Sequence, residues 1–171
     1  GNDPASESYI RQKMKSCDAV GMRHEHMHME EKTTKDELFA TIERMNADPD
    51  VTGFIVQLPL PKHLEKFVPQ VIKAIDPKKD VDGFGAYNLG KMFLSVEYED
   101  LPPATPSGVL RMLEFYKVPI EGSNAVIVGR SNIVGKPLAV MLINRGATVT
   151  VCNSRTKDLG SITRQADILC V

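Results

Sequence analysis

The chain has 171 residues, with 21 basic and 22 acidic side chains, 42% hydrophobic residues and a formal net charge of −1. That balance describes a globular protein of one large or two small domains and excludes a broad basic surface for nucleic acid. No apolar run approaches bilayer-spanning length, nothing resembles a signal peptide, and Cys17, Cys152 and Cys170 lie outside metal-type spacing, so reduced thiols in a cytoplasmic setting are expected, with an organellar one left open.

The opening Gly1–Ser6 reads as loop and cap, with Ser6 or Ser8 capping a helix from Tyr9 to about Val20 that Gly21 closes. Met22 to Met29 alternates and predicts a strand. Such a strand puts His24, His26 and His28 on one face. Same-face histidines can bind metal, but no cysteine or acid completes a set, and no metal site is expected. Thr34 and Glu37 form a capping box, and the helix behind them carries Leu38, Phe39, Ile42 and Met45 on one face. Asn46 to Asp50 is a turn. Val51 to Leu58 predicts a strand that Pro59 and Pro61 stop. Leu64 to Ile75 is helical, with Pro69 demanding a kink or two short helices.

Residues 76–90 read mostly as loop. Pro106 opens a helix to about Tyr116, and a strand begins near Asn124. The following helix runs from Leu138 to Arg145 and stops at Gly146, and Ala147–Cys152 is a second strand. Another helix begins near Lys157, and Ser154 and Thr156 either cap it, face a phosphate, or do both. The chain closes on the apolar strand Ala166–Val171, so further sequence is expected at both ends. Strand and helix alternate, which favours parallel α/β organisation. Two α/β domains are expected, residues 1–107 and 108–171.

Residues 125–137 carry the strongest chemical signal. A Val/Ile strand ends at Gly129, a loop follows, Gly135 appears, and Pro137 sits in the first turn of a helix. Glycines let backbone approach a pyrophosphate, and a helix N-terminus offers N–H groups to the anion. The spacing is G-x-x-x-x-x-G, with Ser131 where a middle glycine is usual, and turns without a ligand use two glycines as well. The second strand ends in Asn153-Ser154-Arg155-Thr156, with no acid for a ribose 2′-hydroxyl. Arg130, Ser154 and Arg155 suit a 2′-phosphate, which favours NADP over NAD.

Elsewhere, Tyr9 and Lys13 stand at i and i+4 on one helix face, and Lys13 is either a proton-transfer group or a solvated lysine. Gln57 lies at the C-terminal end of an apolar strand, where open α/β sheets bind ligands, or else satisfies the next loop. Asp76, Asp80 and Asp82 share a loop that lacks the later glutamate of a calcium site. Asp82, before Gly83, can hydrogen-bond the N–H pair of a heterocycle or form an Asx turn.

In order, the chain carries D-P-A-S-x-x-Y-I-x-x-K, V-Q-L-P-L-P, K-D-V-D-G-F, A-T-P-x-G, V-G-R-S-x-I-V-G-K-P and T-V-T-V-C-N-S-R-T. Together these resemble the methylenetetrahydrofolate dehydrogenase/methenyltetrahydrofolate cyclohydrolase family over nearly the whole chain. The resemblance implies a folate-binding catalytic domain, a Rossmann-type NADP domain, a cleft between them and a homodimer. It implies that Tyr9 stacks on the folate, that Lys13 is the central catalytic lysine assisted by Gln57, and that Asp82 anchors the pterin. Val56 and Leu58 would line the substrate beside Gln57. Gly129, Arg130, Ser131, Gly135 and Ser154 would hold NADP, with Arg155 a weaker candidate. The implied reactions oxidise 5,10-methylenetetrahydrofolate with NADP+ and hydrolyse the product to 10-formyltetrahydrofolate.

Three positions depart from the frequent family pattern: Gly85 stands for His, Ala104 for Cys and Asn153 for His. A dehydrogenase without the hydrolase, and a nucleotide-binding module without turnover, are the alternatives. Neither a nucleic-acid nor a membrane partner is expected.

Overall fold

A computed structural model describes residues 4–171. Asp3 of the D-P-A-S motif lies outside the described residues, as do Gly1 and Asn2. The chain divides into two compact units, the first ending at Lys79 and the second running from Asp80 to Val171.

In the first unit, helix α1 spans Pro4–Ala19. It starts five residues earlier than expected, so Ser6 and Ser8 lie inside it. Proline presets φ for a first helical turn, and Glu7 there complements the helix dipole. Gly21, at φ +71°, lets the chain reverse where a side chain would be strained. Helix α2, Lys35–Ala47, begins at the expected box: the Glu37 N–H donates to Thr34 Oγ1 (3.3 Å) and the Thr34 N–H donates to Glu37 (2.8 Å). The Thr34 backbone N–H and hydroxyl hold the Glu37 carboxyl below its ordinary range.

Pro69 has the anticipated effect. A 3₁₀ turn, Glu65–Phe67, gives way to helix α3, Val68–Ala74, with the proline in its first turn, where no N–H is required. Leu38, Ile42, Leu64 and Val71 form the core, with Phe54 and Val56 packed against it.

The two strands expected here are absent as ladders among the described residues. Met22–Met29 has no strand assignment, and Val51–Leu58 keeps one bridge position, Phe54, whose N–H donates to the Lys79 carbonyl (3.0 Å). Alternation reports which faces are buried, whereas a strand also needs a neighbour to take its N–H and C=O groups. Lys79 secures this region from the other side. Its ammonium donates to the carbonyls of Met45 (2.9 Å) and Asp48 (2.6 Å), at the negative end of α2.

The second unit contains α4 (Ala86–Leu94), a 3₁₀ turn (Val96–Tyr98), α5 (Ala104–Phe115), β1 (Asn124–Val128), α6 (Gly135–Ile143), β2 (Thr148–Cys152), α7 (Leu159–Thr163) and β3 (Ile168–Cys170). The strands form a parallel sheet in the order β2-β1-β3, with Val128 opposite Cys152 and Ile127 opposite Cys170. Ala125, Val126 and Ile127 are fully enclosed, as the continuous apolar run requires. Gly146, at φ +82°, ends the α6 segment as expected.

Helix α4 occupies residues expected to be loop. Asn88 and Met92, at i and i+4, are its buried positions, and a stripe that short, interrupted by Gly90 and lacking a side-chain cap, gives little periodic signal. Met92 shares a core with Ile127 and Leu138. Packing divides the chain at 79/80, whereas the expected division into two α/β domains falls at 107/108.

The α4 and α6 regions are joined by an ion pair. Arg145 donates to both carboxylate oxygens of Glu99 (3.1 and 2.9 Å), and Glu99 is 6% exposed in its side chain against 23% for Arg145. Asn144 adds a bond to the Met92 carbonyl (2.8 Å). Removing one member of such a pair strands the other charge, so Glu99→Ala is expected to destabilise the second unit by about 3 kcal/mol. Urea unfolding of this variant checks it, and a loss below about 1 kcal/mol would mean the pair is solvated like a surface one.

Among the described residues no helix is long and apolar enough to cross a membrane. No group of three or more His, Cys, Asp or Glu could hold a metal ion there either. The histidines separate by role: His24 Nε2 pairs with Asp18 (3.0 Å), while His26 and His28 meet edge to face.

Candidate functional site

The first unit brings two sequence-predicted residues together across 44 positions. Lys13 Nζ donates to Gln57 Oε1 at 3.2 Å. The Gln57 amide then donates from Nε2 to the Leu58 carbonyl at 2.7 Å. That second bond fixes which end of the amide faces the lysine. The amine therefore meets an oxygen, and a neutral one.

Helix α1 supplies Lys13 and, one turn earlier, Tyr9, which is 63% exposed. Tyr9 and Lys13 sit four residues apart, so both ride the same helix face. Gln57 is half-buried between Val56 and Leu58. Val56 packs toward the first-unit core, which anchors the segment that presents the amide. The result is an exposed phenol, an amine and an oriented amide. Such a set can take a flat, polar-edged molecule and move a proton at its edge.

Three groups of the second unit carry the remaining candidates. At the C-terminal end of β1, Gly129 has φ +151°, and a Cβ there would meet nothing within 4 Å. The backbone is open to an incoming ligand at that point. Gly135 is the opposite case. A Cβ on it would overlap the Gly129 carbonyl oxygen and lie 2.7 Å from that carbonyl carbon. One glycine leaves room for a ligand, and the other lets helix α6 start against the strand end.

Ser131 ties the loop. Its Oγ accepts from the N–H groups of Val134 (3.1 Å) and Gly135 (3.2 Å), and its carbonyl accepts from Lys136 N–H (3.0 Å). This corrects the expectation that the first N–H groups of the helix are offered to a pyrophosphate. Those three are already satisfied by Ser131. What the turn presents instead is the Ser131 hydroxyl proton, the exposed Arg130 and the positive end of α6.

At the end of β2, Asn153 organises the turn. Its side chain accepts from Arg155 N–H (3.0 Å), its N–H donates to Thr156 Oγ1 (2.8 Å), and its carbonyl accepts from Thr156 N–H (2.9 Å). Thr156 is thus spent on Asn153. The cap of α7 is Asp158, in left-handed conformation, accepting from Ser161 N–H at 3.2 Å, rather than Ser154 or Thr156. The D-x-x-S spacing of Asp158 and Ser161 carried that signal. Ser154 and Arg155 are left exposed on the tip of a closed turn. In a β2-β1-β3 order the chain winds away from β1 in both directions, and ligands of such sheets bind in the crevice at the strand ends where the winding reverses. The open backbone at Gly129, two exposed arginines and no carboxylate at the end of β2 fit a phosphorylated dinucleotide.

Asp82 lies half-buried in the loop before α4, followed by Gly83 at φ +67°. Sequence reading weighed Asp80, two residues earlier, only as part of a calcium-type loop. It is 3% exposed and accepts three hydrogen bonds from the residues that follow it. The signal was the acid placed just ahead of a helix start, where side-chain oxygens bind backbone N–H groups.

The family description "Tetrahydrofolate dehydrogenase/cyclohydrolase, catalytic domain" matches residues 1–82, and its "NAD(P)-binding domain" matches residues 103–171. A bifunctional protein FolD of Methanococcoides burtonii is 50% identical over all of this chain, which covers 58% of that relative. A crystal structure of the bifunctional FolD enzyme from Campylobacter jejuni superimposes with a TM-score of 0.92 at 44% identity, over 99% of this chain and 59% of that one. The FolD of Trypanosoma brucei, solved with NADP cofactor and inhibitor, gives 0.90 at 33% identity, over 99% and 57% respectively. The chain spans about three fifths of the length of the relatives it matches. With both domain descriptions matched in order and the same backbone found in solved members, the chain belongs to the tetrahydrofolate dehydrogenase/cyclohydrolase family.

Proposed function

We propose that this chain carries the catalytic and nucleotide-binding groups of a cytoplasmic enzyme of one-carbon metabolism. The enzyme oxidises 5,10-methylenetetrahydrofolate to 5,10-methenyltetrahydrofolate with NADP+, and hydrolyses that product to 10-formyltetrahydrofolate. The observation that carries the reading is the Lys13–Gln57 hydrogen bond at 3.2 Å. Tetrahydrofolate derivatives are the proposed partners, and a homodimer is the proposed assembly. Residues 1–107 are assigned to the folate and 108–171 to NADP.

NADP+, when bound, supplies the hydride acceptor. The oxidation needs little from the protein beyond placement, because the substrate's own nitrogen stabilises the developing cation. Tyr9 is assigned to stacking on the pterin, with Val56 and Leu58 lining it and Asp82 accepting from its N–H edge. Hydrolysis asks for more. Water must lose a proton as it attacks, and the ring nitrogen must gain one as its bond to the added carbon breaks. Lys13 is assigned to that proton traffic. Gln57 orients the amine through a neutral oxygen. Gly129, Arg130, Ser131, Gly135, Ser154 and Arg155 are assigned to the cofactor, with the two arginines on the 2′-phosphate.

The test is the absorbance of the methenyl product formed from methylenetetrahydrofolate and NADP+. It is run on this chain and on the chain extended to the length of its relatives. Turnover is expected in the extended form. Nucleotide binding without turnover in either form would replace the enzyme with a binding module.

A further inference from the structure

We infer that Asp80 is a positioning residue for the folate, acting through Asp82; the inference rests on the role proposed above for Asp82. Asp80 is buried to 3% exposure. Its Oδ2 accepts from the Gly85 N–H (2.8 Å) and from Asn88 Nδ2 (3.0 Å), and its Oδ1 accepts from the Phe84 N–H (3.4 Å). Its backbone carbonyl accepts from the Gly83 N–H (3.2 Å). The carboxylate therefore closes a ring over residues 80–85, with Asp82 inside it.

Two glycines make the ring possible. Gly83, at φ +67°, is pressed so closely on residue 101 that a Cβ would overlap the Leu101 carbonyl oxygen. A Cβ on Gly85 would stand 2.8 Å from Asp80 Oδ2, so the absence of a side chain lets that N–H reach the carboxylate. Asp82 is held on both sides: by the Asp80 ring before it and by the wedged Gly83 after it.

A surface turn needs only an exposed Asx side chain. Burying a carboxylate is costly unless donors surround it, and here one side-chain and two backbone N–H groups converge on it. That expense is explicable if the loop must keep one shape to present Asp82. An amide cannot substitute. Asparagine at 80 has one acceptor oxygen, so its NH₂ would face an N–H that now finds an oxygen.

The experiment measures KM for methylenetetrahydrofolate and the dissociation constant of NADP+ in the extended protein, for Asp80→Asn, Asp82→Ala and the double variant. Asp80→Asn is expected to raise KM for the folate by about tenfold to a hundredfold, since small misplacements of a binding group have effects of that order. NADP+ binding is expected to stay unchanged, and the double variant to show no increment over Asp82→Ala. Should Asp80→Asn fail to fold, Asn88→Ala withdraws the side-chain donor to Asp80 Oδ2. It is expected to shift KM in the same direction, again without effect in the Asp82→Ala background. A folded variant with unaltered KM, or one whose effect adds in full to that of Asp82→Ala, overturns the positioning role and leaves the assignment of Asp82 intact. If Asp82→Ala itself leaves KM unchanged, the assignment of Asp82 fails and the positioning role falls with it.

Discussion

Replacing Lys13 with methionine is expected to slow hydrolysis of methenyltetrahydrofolate by about 10²- to 10⁴-fold, the range of a well-placed proton-transfer group. Methionine keeps the length and the helix propensity of the position but removes the ammonium that donates to Gln57 Oε1. Helix α1 has no buried residue, so the substitution leaves the first-unit core of Leu38, Ile42, Leu64 and Val71 untouched. Stability should therefore stay within about 0.5 kcal/mol. The dissociation constant of NADP+ should not move, because Lys13 is not among the residues proposed to hold the cofactor. Gln57→Ala should give a smaller loss in the same reaction, since it frees the amine without deleting it. A stopped-flow measurement of methenyl decay decides the matter: hydrolysis at the parental rate in Lys13→Met would remove the lysine from the chemistry.

The second unit was the more legible half of the fold, and the reason is local. A parallel strand enclosed on both faces reads as a continuous Val/Ile run, and β1, α6 and β2 are each bounded by a glycine or proline with a conformational reason to be there. The capping box at Thr34 and the break at Pro69 were legible for the same reason, since each is decided within four residues. Met22–Met29 and Val51–Leu58 depend instead on what lies beside them, and alternation carries no information about a neighbour. The site followed the same rule. Gly129 and Gly135 could be found by spacing, but not that Ser131 would occupy the N–H groups of Val134, Gly135 and Lys136. Lys13 and Gln57 stand 44 residues apart, and nothing in either segment alone requires them to meet. Asp80 was legible only as one acid of a discounted calcium loop, because its value comes from burial, which a loop rich in acids and lysines does not advertise.

Gly135→Ala is expected to destabilise the second unit by about 3 kcal/mol and to weaken NADP+ binding about a hundredfold, the equivalent of roughly 2.7 kcal/mol. The added methyl would overlap the Gly129 carbonyl oxygen and approach its carbon to 2.7 Å and the Arg130 nitrogen to 3.1 Å. All three are backbone atoms, so no side chain can rotate away to make room. Relief requires either β1 or the start of α6 to shift. Both are packed, with Ile127 at 3% and Leu138 at 1% exposure in one core. A shift of α6 would also pull Val134 and Gly135 from Ser131 Oγ, releasing the loop that carries Arg130 and Ser131. The contrast is Gly108→Ala. Gly108 lies inside α5, and a Cβ there meets nothing within 4 Å. The same chemical change should stabilise that helix by roughly 0.5–1 kcal/mol, through the lower backbone entropy of alanine. Thermal melts of the two variants with and without NADP+ separate the effects. If Gly135→Ala melts and binds like the parent, the close approach of α6 to the strand end is not what shapes the nucleotide turn.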